Sequence, residues 1–348
     1  MKFSSRCVSP SIYSETLIPN TVNLNNSFKS KEEYLRSMEL GNYEIAYRRC
    51  SKNMVPNVKA LTATVASLYE VPVENCVVCC SGVSAFYVLA KSFSTIYVIG
   101  TYSEVTQVLQ QYRCVYLDSE EELTKHNIQN SLIIIDSMRS ISLYTPDIKK
   151  LSTYIHGHNS KLCIDNSILN IYNYNPLNDG ADFVVESLAK YVSGHNNCML
   201  GAIVSKDVDL QEEKGYGNII RVMGISPNPV DCYLAQIRIA TLPLRMERIK
   251  STTETVKKYL LSVRAKISSD SRCGLIYIVI QTNTMEPVYK NIVNSFEVIQ
   301  FGDTFGAPFT VGSIFKHEGN LIVRLSIGLE DPVDIIRDLE KIRGILTC

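Results

Sequence analysis

A lysine, a serine and an aspartate stand where apolar runs of the sequence end. Lys190 follows the run Phe183–Glu186, and Ser187 lies between that run and the lysine. Asp165 closes another apolar run earlier in the chain. In α/β proteins the carboxyl ends of buried strands carry the functional loops. A lysine that is desolvated there loses its proton readily and can act as an amine nucleophile toward an aldehyde.

The lysine and the aspartate together match the requirements of a pyridoxal phosphate site. Such a site needs a lysine that forms a Schiff base and an acid opposite the pyridine nitrogen. The spacing alone is weak evidence, because most lysines are exposed surface residues. Support for a pyridoxal phosphate site must therefore come from the secondary structure around the two residues and from the other motifs of the chain.

Short apolar runs alternate with helical patterns through the first two thirds of the chain. This alternation indicates an α/β fold with a mostly parallel, seven-stranded sheet sandwiched by helices. The predicted strands are 76–80, 95–99, 114–117, 132–136, 162–165, 183–186 and 201–205, and helices are predicted at 58–69, 83–93 and 147–156.

The pattern changes after about residue 225. A long helical stretch broken by Pro243 is followed by two predicted strands, 275–281 and 321–327, and by an amphipathic helix, 333–345. These elements predict a smaller C-terminal α+β domain. The whole chain is then divided into an N-terminal arm (1–45), a large cofactor-binding domain (46–225) and the C-terminal domain (226–348).

Composition limits the partners of the protein. Lys+Arg and Asp+Glu both number 35, so the formal net charge is zero. Such a balance gives no electrostatic footprint for nucleic acid or an anionic membrane. No apolar stretch is long enough for a membrane span, and the 11 cysteines lack paired spacing. We expect a cytoplasmic protein whose partners are a small molecule or another copy of the chain.

Several motifs of the chain resemble, in the same order, those of the cystathionine synthase and lyase family. The segment 175–205 around Lys190 is similar to the cofactor-lysine signature of this family. The other matches are Tyr47-Arg48-Arg49 to its Tyr-x-Arg element, 81–85 to its Ser-Gly-Met-Ala-Ala turn, 226–246 to its interdomain helix, and 324–331 to its Arg-x-Ser-x-Gly-x-Glu-Asp run. The resemblance extends from about Tyr47 onward and implies an aspartate aminotransferase fold of type I.

The resemblance assigns roles around the ring of pyridoxal 5′-phosphate. It implies that Lys190 binds the cofactor covalently and moves protons on the substrate. Asp165 keeps the pyridine nitrogen protonated, and Tyr102 stacks on the ring and is a second catalytic candidate. Arg324 grips the α-carboxylate of an amino acid substrate with a bidentate fork.

The resemblance also assigns the phosphate of the cofactor to a set of hydroxyl and backbone groups. These are Ser187 and the N–H groups at a predicted helix start, namely Ser81, Gly82 and Val83. A helix N-terminus offers free donors and a positive dipole end, so this placement is physically sound. Tyr47 and Arg49 would reach the phosphate of a neighbouring subunit, which implies a homodimer or homotetramer.

The sequence departs from the family pattern in four places, one of which is the run 50–56 that follows the Tyr-x-Arg element where the family usually has Asn-Pro-Thr. Ala189 stands where the family usually has a threonine that binds phosphate. The loop 136–141 lacks an asparagine that contacts the ring hydroxyl, and the Ser-Leu-Gly-Gly loop appears as 300–303 with Asp303 at its last position. Substrate choice is therefore open within the family.

The expected activity is elimination or γ-replacement on cystathionine or an activated homoserine, as in cystathionine γ-lyase and γ-synthase. O-acylhomoserine sulfhydrylase or cystathionine β-lyase activity is the alternative within the same class. A catalytically degenerate paralogue that acts as a binding or regulatory subunit is the alternative of another class.

Overall fold

The computed structural model describes residues 3–7, 31, 32, 35, 56–212, 215–282 and 284–346. Tyr47, Arg49 and most of the predicted arm lie outside the described residues. The chain forms two compact units. The larger comprises Met1–Met138, Thr145–Ser193 and Cys198–Ala240, and the smaller comprises Arg139–Tyr144, Gly194–Asn197 and Thr241–Cys348. The division into an arm and two domains at residues 45 and 225 stays a prediction.

The larger unit contains a seven-stranded sheet, as the sequence predicts. The strand order is β1-β7-β6-β5-β4-β2-β3. The five strands from β6 to β3 run parallel, whereas β7 is antiparallel to both of its neighbours. Its strands are β1 (Cys76–Cys79), β2 (Ile96–Ile99), β3 (Cys114–Leu117), β4 (Leu132–Asp136), β5 (Lys161–Asp165), β6 (Phe183–Glu186) and β7 (Gly201–Ser205).

Helices follow most of these strands. Those of the larger unit are α1 (Phe3–Cys7), α2 (Pro56–Tyr69), α3 (Gly82–Ala90), α4 (Ser103–Leu109), α5 (Ile148–His156), α6 (Asn170–Asn173), α7 (Tyr216–Met223) and α8 (Pro229–Ile239). Short 3₁₀ turns occur at Val73–Asn75, Glu120–Lys125 and Pro176–Asp179.

The continuous apolar runs of the central strands explain why the sheet lies inside. All residues of β1, β2, β4, β6 and β7 are buried. A parallel strand covered on both faces reads as an unbroken apolar run, because neither face can be polar. Polar residues therefore cluster where these strands end, and Asp136, Asp165 and Glu186 each close a strand.

The smaller unit contains a five-stranded sheet in the order β10-β11-β12-β9-β8. Its strands are β8 (Ile267–Asp270), β9 (Leu275–Ile280), β10 (Gln300–Phe301), β11 (Val311–His317) and β12 (Asn320–Ser326), and its helices are α9 (Leu242–Ser262), α10 (Met285–Ser295), α11 (Pro332–Lys341) and α12 (Arg343–Leu346). Pro243 lies in the first turn of α9, where a missing N–H costs no hydrogen bond. The long helical stretch predicted from the sequence therefore forms two separate helices, α8 and α9, and not one helix with a kink at Pro243.

A distant segment completes this smaller unit. Ser140 and Tyr277 share a hydrogen bond of 2.9 Å between their hydroxyls, and the Ser268 hydroxyl donates to the Ile141 carbonyl at 2.7 Å. The loop 139–144 thus packs with strands that come more than a hundred residues later. No described helix is long and apolar enough to cross a membrane.

Candidate cofactor site

Lys190 lies in an irregular turn between β6 and β7. Leu188–Val192 forms a single π-type turn in which the Lys190 backbone (φ −85°, ψ −127°) is not helical. The turn is held at both ends, because the Ala189 N–H donates to the Leu200 carbonyl and the Ser193 N–H donates to the Leu188 carbonyl. The local fold thus places the lysine directly after the carboxyl end of a central strand.

Asp165 ends the neighbouring strand β5 and is held by the turn that follows it. The Ser167 N–H donates to its Oδ1 at 2.9 Å, and its carbonyl accepts from the Ser137 N–H at 2.8 Å. Burial raises the pKa of Asp165 above its ordinary value, although the Ser167 hydrogen bonds and the positive charge of Lys190 act to lower it. The structure therefore places Asp165 close enough to Lys190 for the positive charge of the lysine to act on its pKa.

Helix α3 begins beside these residues with an intact capping box. The Ser81 hydroxyl accepts from the Ser84 N–H, and the Ser84 hydroxyl accepts from the Ser81 N–H, both at 3.0 Å. The N–H groups of Gly82 and Val83 have no acceptor among the described residues. Two backbone donors at a helix start thus remain available for an anion.

Close packing brings the other proposed phosphate group to the same place. A Cβ atom built on Gly82 would lie 3.4 Å from the Ser187 Cβ. A Cβ atom built on Gly201 would lie only 2.4 Å from the Ser81 carbonyl oxygen and 2.5 Å from the Gly82 nitrogen. Glycine at 201 is therefore required for β7 to pass this close to the start of α3. The structure brings Ser81, Gly82 and Ser187 together.

Tyr102 precedes helix α4, and its side chain is about half exposed (54%). It hydrogen-bonds to Glu104, whose Oε2 also accepts from the Ser103 hydroxyl at 2.6 Å. Slight burial acts to raise the pKa of Glu104, but these hydrogen bonds and the Lys190 charge outweigh it and lower the pKa. Glu104 therefore lies near the lysine, a position that the sequence analysis did not assign.

Arg324 lies on β12 of the smaller unit, opposite Tyr277 on β9. Its Nη2 donates to the Thr304 carbonyl at 3.1 Å and to the Asp303 Oδ1 at 3.3 Å. Its buried Nε has no acceptor in the described part of the chain. The guanidinium thus keeps a donor for another group, as a carboxylate-binding fork needs.

The remaining residues of the 324–331 run stabilise the smaller unit itself. The Ser326 hydroxyl accepts from the Gly306 N–H at 3.0 Å, and Asp331 caps α11 by accepting from the Val333 N–H at 2.9 Å. The Glu330 carboxylate accepts from the Thr310 hydroxyl at 2.9 Å. Within this run, Arg324 is the residue whose buried side-chain donor has no acceptor among the described residues.

Three further polar residues lie at the strand ends without having been singled out from the sequence. Ser167 positions Asp165 and also accepts from the Ser187 N–H at 2.9 Å. Ser137 is buried, and its hydroxyl has no partner among the described residues. Glu186 is fully buried directly before Ser187. Their signal in the sequence is only their position next to an apolar run.

These residues fit pyridoxal phosphate. The site offers a lysine amine, a carboxylate on the adjacent strand, and, next to the Ser187 side chain, two backbone N–H groups for which the described part of the chain provides no acceptor. These are the groups that the aldehyde, the pyridine nitrogen and the phosphate of the cofactor respectively require.

Comparison with known families gives an independent result. Residues 14–275 match the profile of a family described as Cys/Met metabolism PLP-dependent enzyme. The chain belongs to this family. The match includes Lys190, Asp165 and the start of α3, and it confirms pyridoxal phosphate as the cofactor of the family to which the chain belongs.

Members of the Cys/Met metabolism family with curated functions are similar over part of their length. A cystathionine γ-lyase of Dictyostelium discoideum is 31% identical over 129 residues, which is 37% of this chain and 33% of that protein. The cystathionine γ-lyase of Saccharomyces cerevisiae is 24% identical over 65% of this chain and 66% of that protein. For a cystathionine γ-synthase of Haemophilus influenzae the identity is 26%, over 61% of each. The match thus spans less than two thirds of each of these relatives.

Solved structures of Cys/Met metabolism enzymes share the fold over the whole chain. The yeast cystathionine γ-lyase structure has a TM-score of 0.81 at 20% identity and covers 100% of this chain and 99% of that one. A cystathionine γ-synthase of Xanthomonas oryzae in complex with cystathionine has a TM-score of 0.83 at 17% identity, with 100% of both chains covered. These likenesses confirm the predicted fold class, with its large α/β domain and smaller second sheet.

Proposed function

We propose that the protein is a pyridoxal-phosphate-dependent enzyme of sulfur amino acid metabolism that acts on cystathionine or an activated homoserine by elimination or γ-replacement. The observation that carries the proposal is the convergence of Lys190 and Asp165 at adjacent strand ends, beside the open N–H groups of α3. The curated relatives named above, which include a γ-synthase and γ-lyases, support the substrate class.

Lys190 is the proposed catalytic base. Its amine would hold the cofactor through the aldehyde, and, once the amino group of the substrate has displaced it, the free amine would take the proton from the substrate α-carbon. Pyridoxal phosphate, when bound, supplies an electron sink for the pair left on that carbon. Asp165, in its ionised form, keeps the ring nitrogen protonated. Tyr102 stacks on the ring, and either Lys190 or Tyr102 protonates the leaving group.

The remaining proposed roles concern binding. The N–H groups of Gly82 and Val83, together with Ser81 and Ser187, hold the phosphate. Arg324 binds the α-carboxylate of the substrate. An ionised carboxylate against a guanidinium is among the stronger protein hydrogen bonds, because both partners carry charge.

The proposed assembly is a homodimer or a homotetramer of a cytoplasmic protein. Tyr47 and Arg49 of one subunit would contact the phosphate bound by its neighbour. The resemblance of Tyr47-Arg48-Arg49 to the Tyr-x-Arg element of the family supports this role. Mixing Arg49→Ala chains with Lys190→Ala chains tests it, since only a mixed dimer can contain one complete site.

The first experiment is cofactor loading of the purified protein. We expect a new visible absorption band on addition of pyridoxal phosphate, which borohydride abolishes while leaving the cofactor covalently attached to Lys190. Lys190→Ala should give no covalent product, and exposed Lys206→Ala is the control that should load as the wild type does. A covalent product at another lysine, or none in the wild type at saturating cofactor, would contradict the proposal.

Substrate assays then separate the related activities. Cystathionine is tested for release of cysteine or homocysteine, and an O-acylhomoserine is tested with cysteine or sulfide as acceptor. Release of cysteine indicates γ-elimination, and release of homocysteine indicates β-elimination. Consumption of the acylated homoserine indicates γ-synthase or sulfhydrylase activity according to the acceptor. A loaded enzyme that turns over none of these substrates would leave the binding-subunit alternative.

A further inference from the structure

Glu186 is a carboxyl group buried beneath the candidate cofactor site. It closes β6 directly before Ser187 and is only 1% exposed. The Tyr69 hydroxyl at the end of α2 donates to its Oε2, and the Ile171 N–H in α6 donates to its Oε1 at 3.2 Å. One side chain therefore joins a central strand to two helices.

This carboxyl group has no cationic partner among the described residues. The titratable groups that face it are Tyr69 from α2 and Asp165 from β5, while Cys76 of β1 lies beyond Tyr69. Its neighbours on α6 and β7, Ile171 and Ala202, are not titratable. Burial raises its pKa from 4.5 to about 8, although the bonds from Tyr69 and Ile171 act to lower it. A buried carboxyl without a counter-charge destabilises a fold, so apolar packing alone does not explain it.

The hydrogen bonds around Glu186 lead to the residue next to Asp165. The Asn166 Nδ2 donates to the Tyr69 hydroxyl at 3.4 Å and to the Tyr174 carbonyl at 2.9 Å. The Asn166 Oδ1 is buried and has no donor among the described residues. The chain Glu186–Tyr69–Asn166 therefore ends at the turn that positions Asp165, and Asn166 itself is fully buried.

We propose that Glu186 is a positioning residue of the cofactor site, which holds the Asp165–Ser167 turn through Tyr69 and Asn166. It touches neither cofactor nor substrate in this proposal and acts through its neighbours. The inference rests on the proposed function, because Asp165 needs exact placement only if it faces a bound ring.

Three substitutions separate the parts of this role. Glu186→Gln has the same shape but cannot ionise; its oxygen can accept from the Ile171 N–H, and its NH2 group can donate to the Tyr69 hydroxyl. Glu186→Leu removes the acceptor and leaves the Tyr69 hydroxyl and the Ile171 N–H without it. Tyr69→Phe keeps the carboxyl group of Glu186 but removes the hydroxyl that connects it to Asn166. This variant still tests the proposal if Glu186→Leu does not fold.

The dissociation constant of pyridoxal phosphate and the absorption maximum of the bound cofactor are the first measurements. Glu186→Leu and Tyr69→Phe should each weaken binding on the order of ten-fold, as expected when a buried hydrogen bond loses one partner, and should shift the maximum. Glu186→Gln should restore both values to near wild type at pH 7. If Leu and Phe variants bind the cofactor with unchanged affinity and spectrum, Glu186 is a structural residue only and the inference fails.

Asp338 supplies a control in the smaller unit and differs from Glu186 in having a cationic partner, Lys341, at 3.0 Å. It is also a buried carboxyl (1% exposed) that accepts backbone N–H groups, from residues 297–299. Asp338→Asn should lower the urea midpoint of unfolding without changing cofactor affinity or spectrum. A change of affinity in this variant would mean that the Glu186 effects report general loss of stability, and it would overturn the inference.

The unfolding midpoint of the cofactor-free protein gives a readout that is independent of activity. A raised pKa means that the folded protein keeps a proton that the unfolded chain releases, so Glu186 reduces stability progressively as pH rises from about 4.5 to about 8. In Glu186→Gln this decline of stability with pH should be absent. In Tyr69→Phe the decline should continue to higher pH, because the bond from Tyr69 that lowers the pKa of Glu186 is lost. If Tyr69→Phe declined over the same pH range as the wild type, the Tyr69 hydroxyl would not act on Glu186, and this result would contradict the inference.

The two proposals fail in different ways. If the wild type does not load pyridoxal phosphate on Lys190, the proposed function fails. If it loads normally and the Glu186 and Tyr69 variants load equally well, only the positioning role fails.

Discussion

Arg324 and Asp303 form an ion pair with very unequal exposure. The distance from Nη2 to Oδ1 is 3.3 Å, and the side chains are 13% and 86% exposed, respectively. The guanidinium is therefore fixed within the smaller unit, whereas the carboxylate reaches solvent. If Arg324 binds the substrate carboxylate as proposed, that carboxylate would compete with Asp303, which takes the place of the last glycine in the Ser-Leu-Gly-Gly loop of the family.

Removing the charge of Asp303 should strengthen substrate binding. An exposed ion pair contributes up to about 1 kcal/mol, so Asp303→Asn should lower KM for the amino acid substrate by up to about five-fold, with kcat nearly unchanged. Steady-state kinetics measure both constants. Asp334→Asn, which breaks the exposed Arg337–Asp334 pair, is the control and should change neither. A raised KM in Asp303→Asn would show that this carboxylate assists binding.

Gly201→Ala should disturb the start of α3. The new Cβ atom would lie 2.4 Å from the Ser81 carbonyl oxygen, so the helix start has to move away from β7. Overpacking of this kind costs about 1–3 kcal/mol, and we expect weaker cofactor binding in addition to lower stability. Chemical denaturation and cofactor titration measure the two effects. Gly344→Ala adds a methyl group with no atom within 4 Å and should leave both unchanged.

Ala189→Thr should improve cofactor affinity. Ala189 is half-buried beside Lys190 and occupies the position at which the family usually has a phosphate-binding threonine. One additional neutral hydrogen bond is worth about 1 kcal/mol, or roughly five-fold in the dissociation constant. Ala189→Val has the same shape without the hydroxyl and controls for packing. Equal effects of the two substitutions would exclude a hydroxyl–phosphate contact at this position.

Cofactor binding should weaken at acid pH because of Asp165. Burial raises the pKa of this carboxyl above 3.8, so the ionised form that pairs with the ring nitrogen is lost as pH falls through the raised value. Asp165→Asn should bind the cofactor about ten- to a hundred-fold more weakly at pH 7, since a hydrogen bond to a charged group is lost. In this variant, the part of the loss of cofactor affinity at acid pH that protonation of Asp165 causes should be absent. Exposed Asp207→Asn should retain the wild-type profile.

Much of the larger unit could be predicted because its strands are buried on both faces. The runs at Leu132–Asp136 and Phe183–Glu186 match observed strands residue for residue. In the smaller unit, β11 was missed because only its first two residues are buried and it carries lysine and histidine. Helix α10 was missed as well, since Pro287 near its start reads as an interruption although it is tolerated in the first turn.

The residues of the candidate site also fall into two groups, those that the sequence pattern predicts and those that it does not. Lys190 and Asp165 were predicted because each follows a recognisable strand and the cofactor needs both. Glu186 gave no such signal, because its partner Tyr69 is 117 residues away in sequence and burial of a single glutamate cannot be seen in a pattern. Contacts of this kind depend on tertiary packing, which periodicity does not encode.

The loop 139–144 has a consequence for biosynthesis. Its bonds to Tyr277 and Ser268 span 137 and 127 residues, so a nascent chain makes these partners available only after most of it has left the ribosome. Contacts of such high sequence separation form late, since a long loop must first be closed. A fragment that begins at Thr241 would lack the loop entirely. Autonomous expression of such a fragment would leave the Tyr277 hydroxyl without its Ser140 partner.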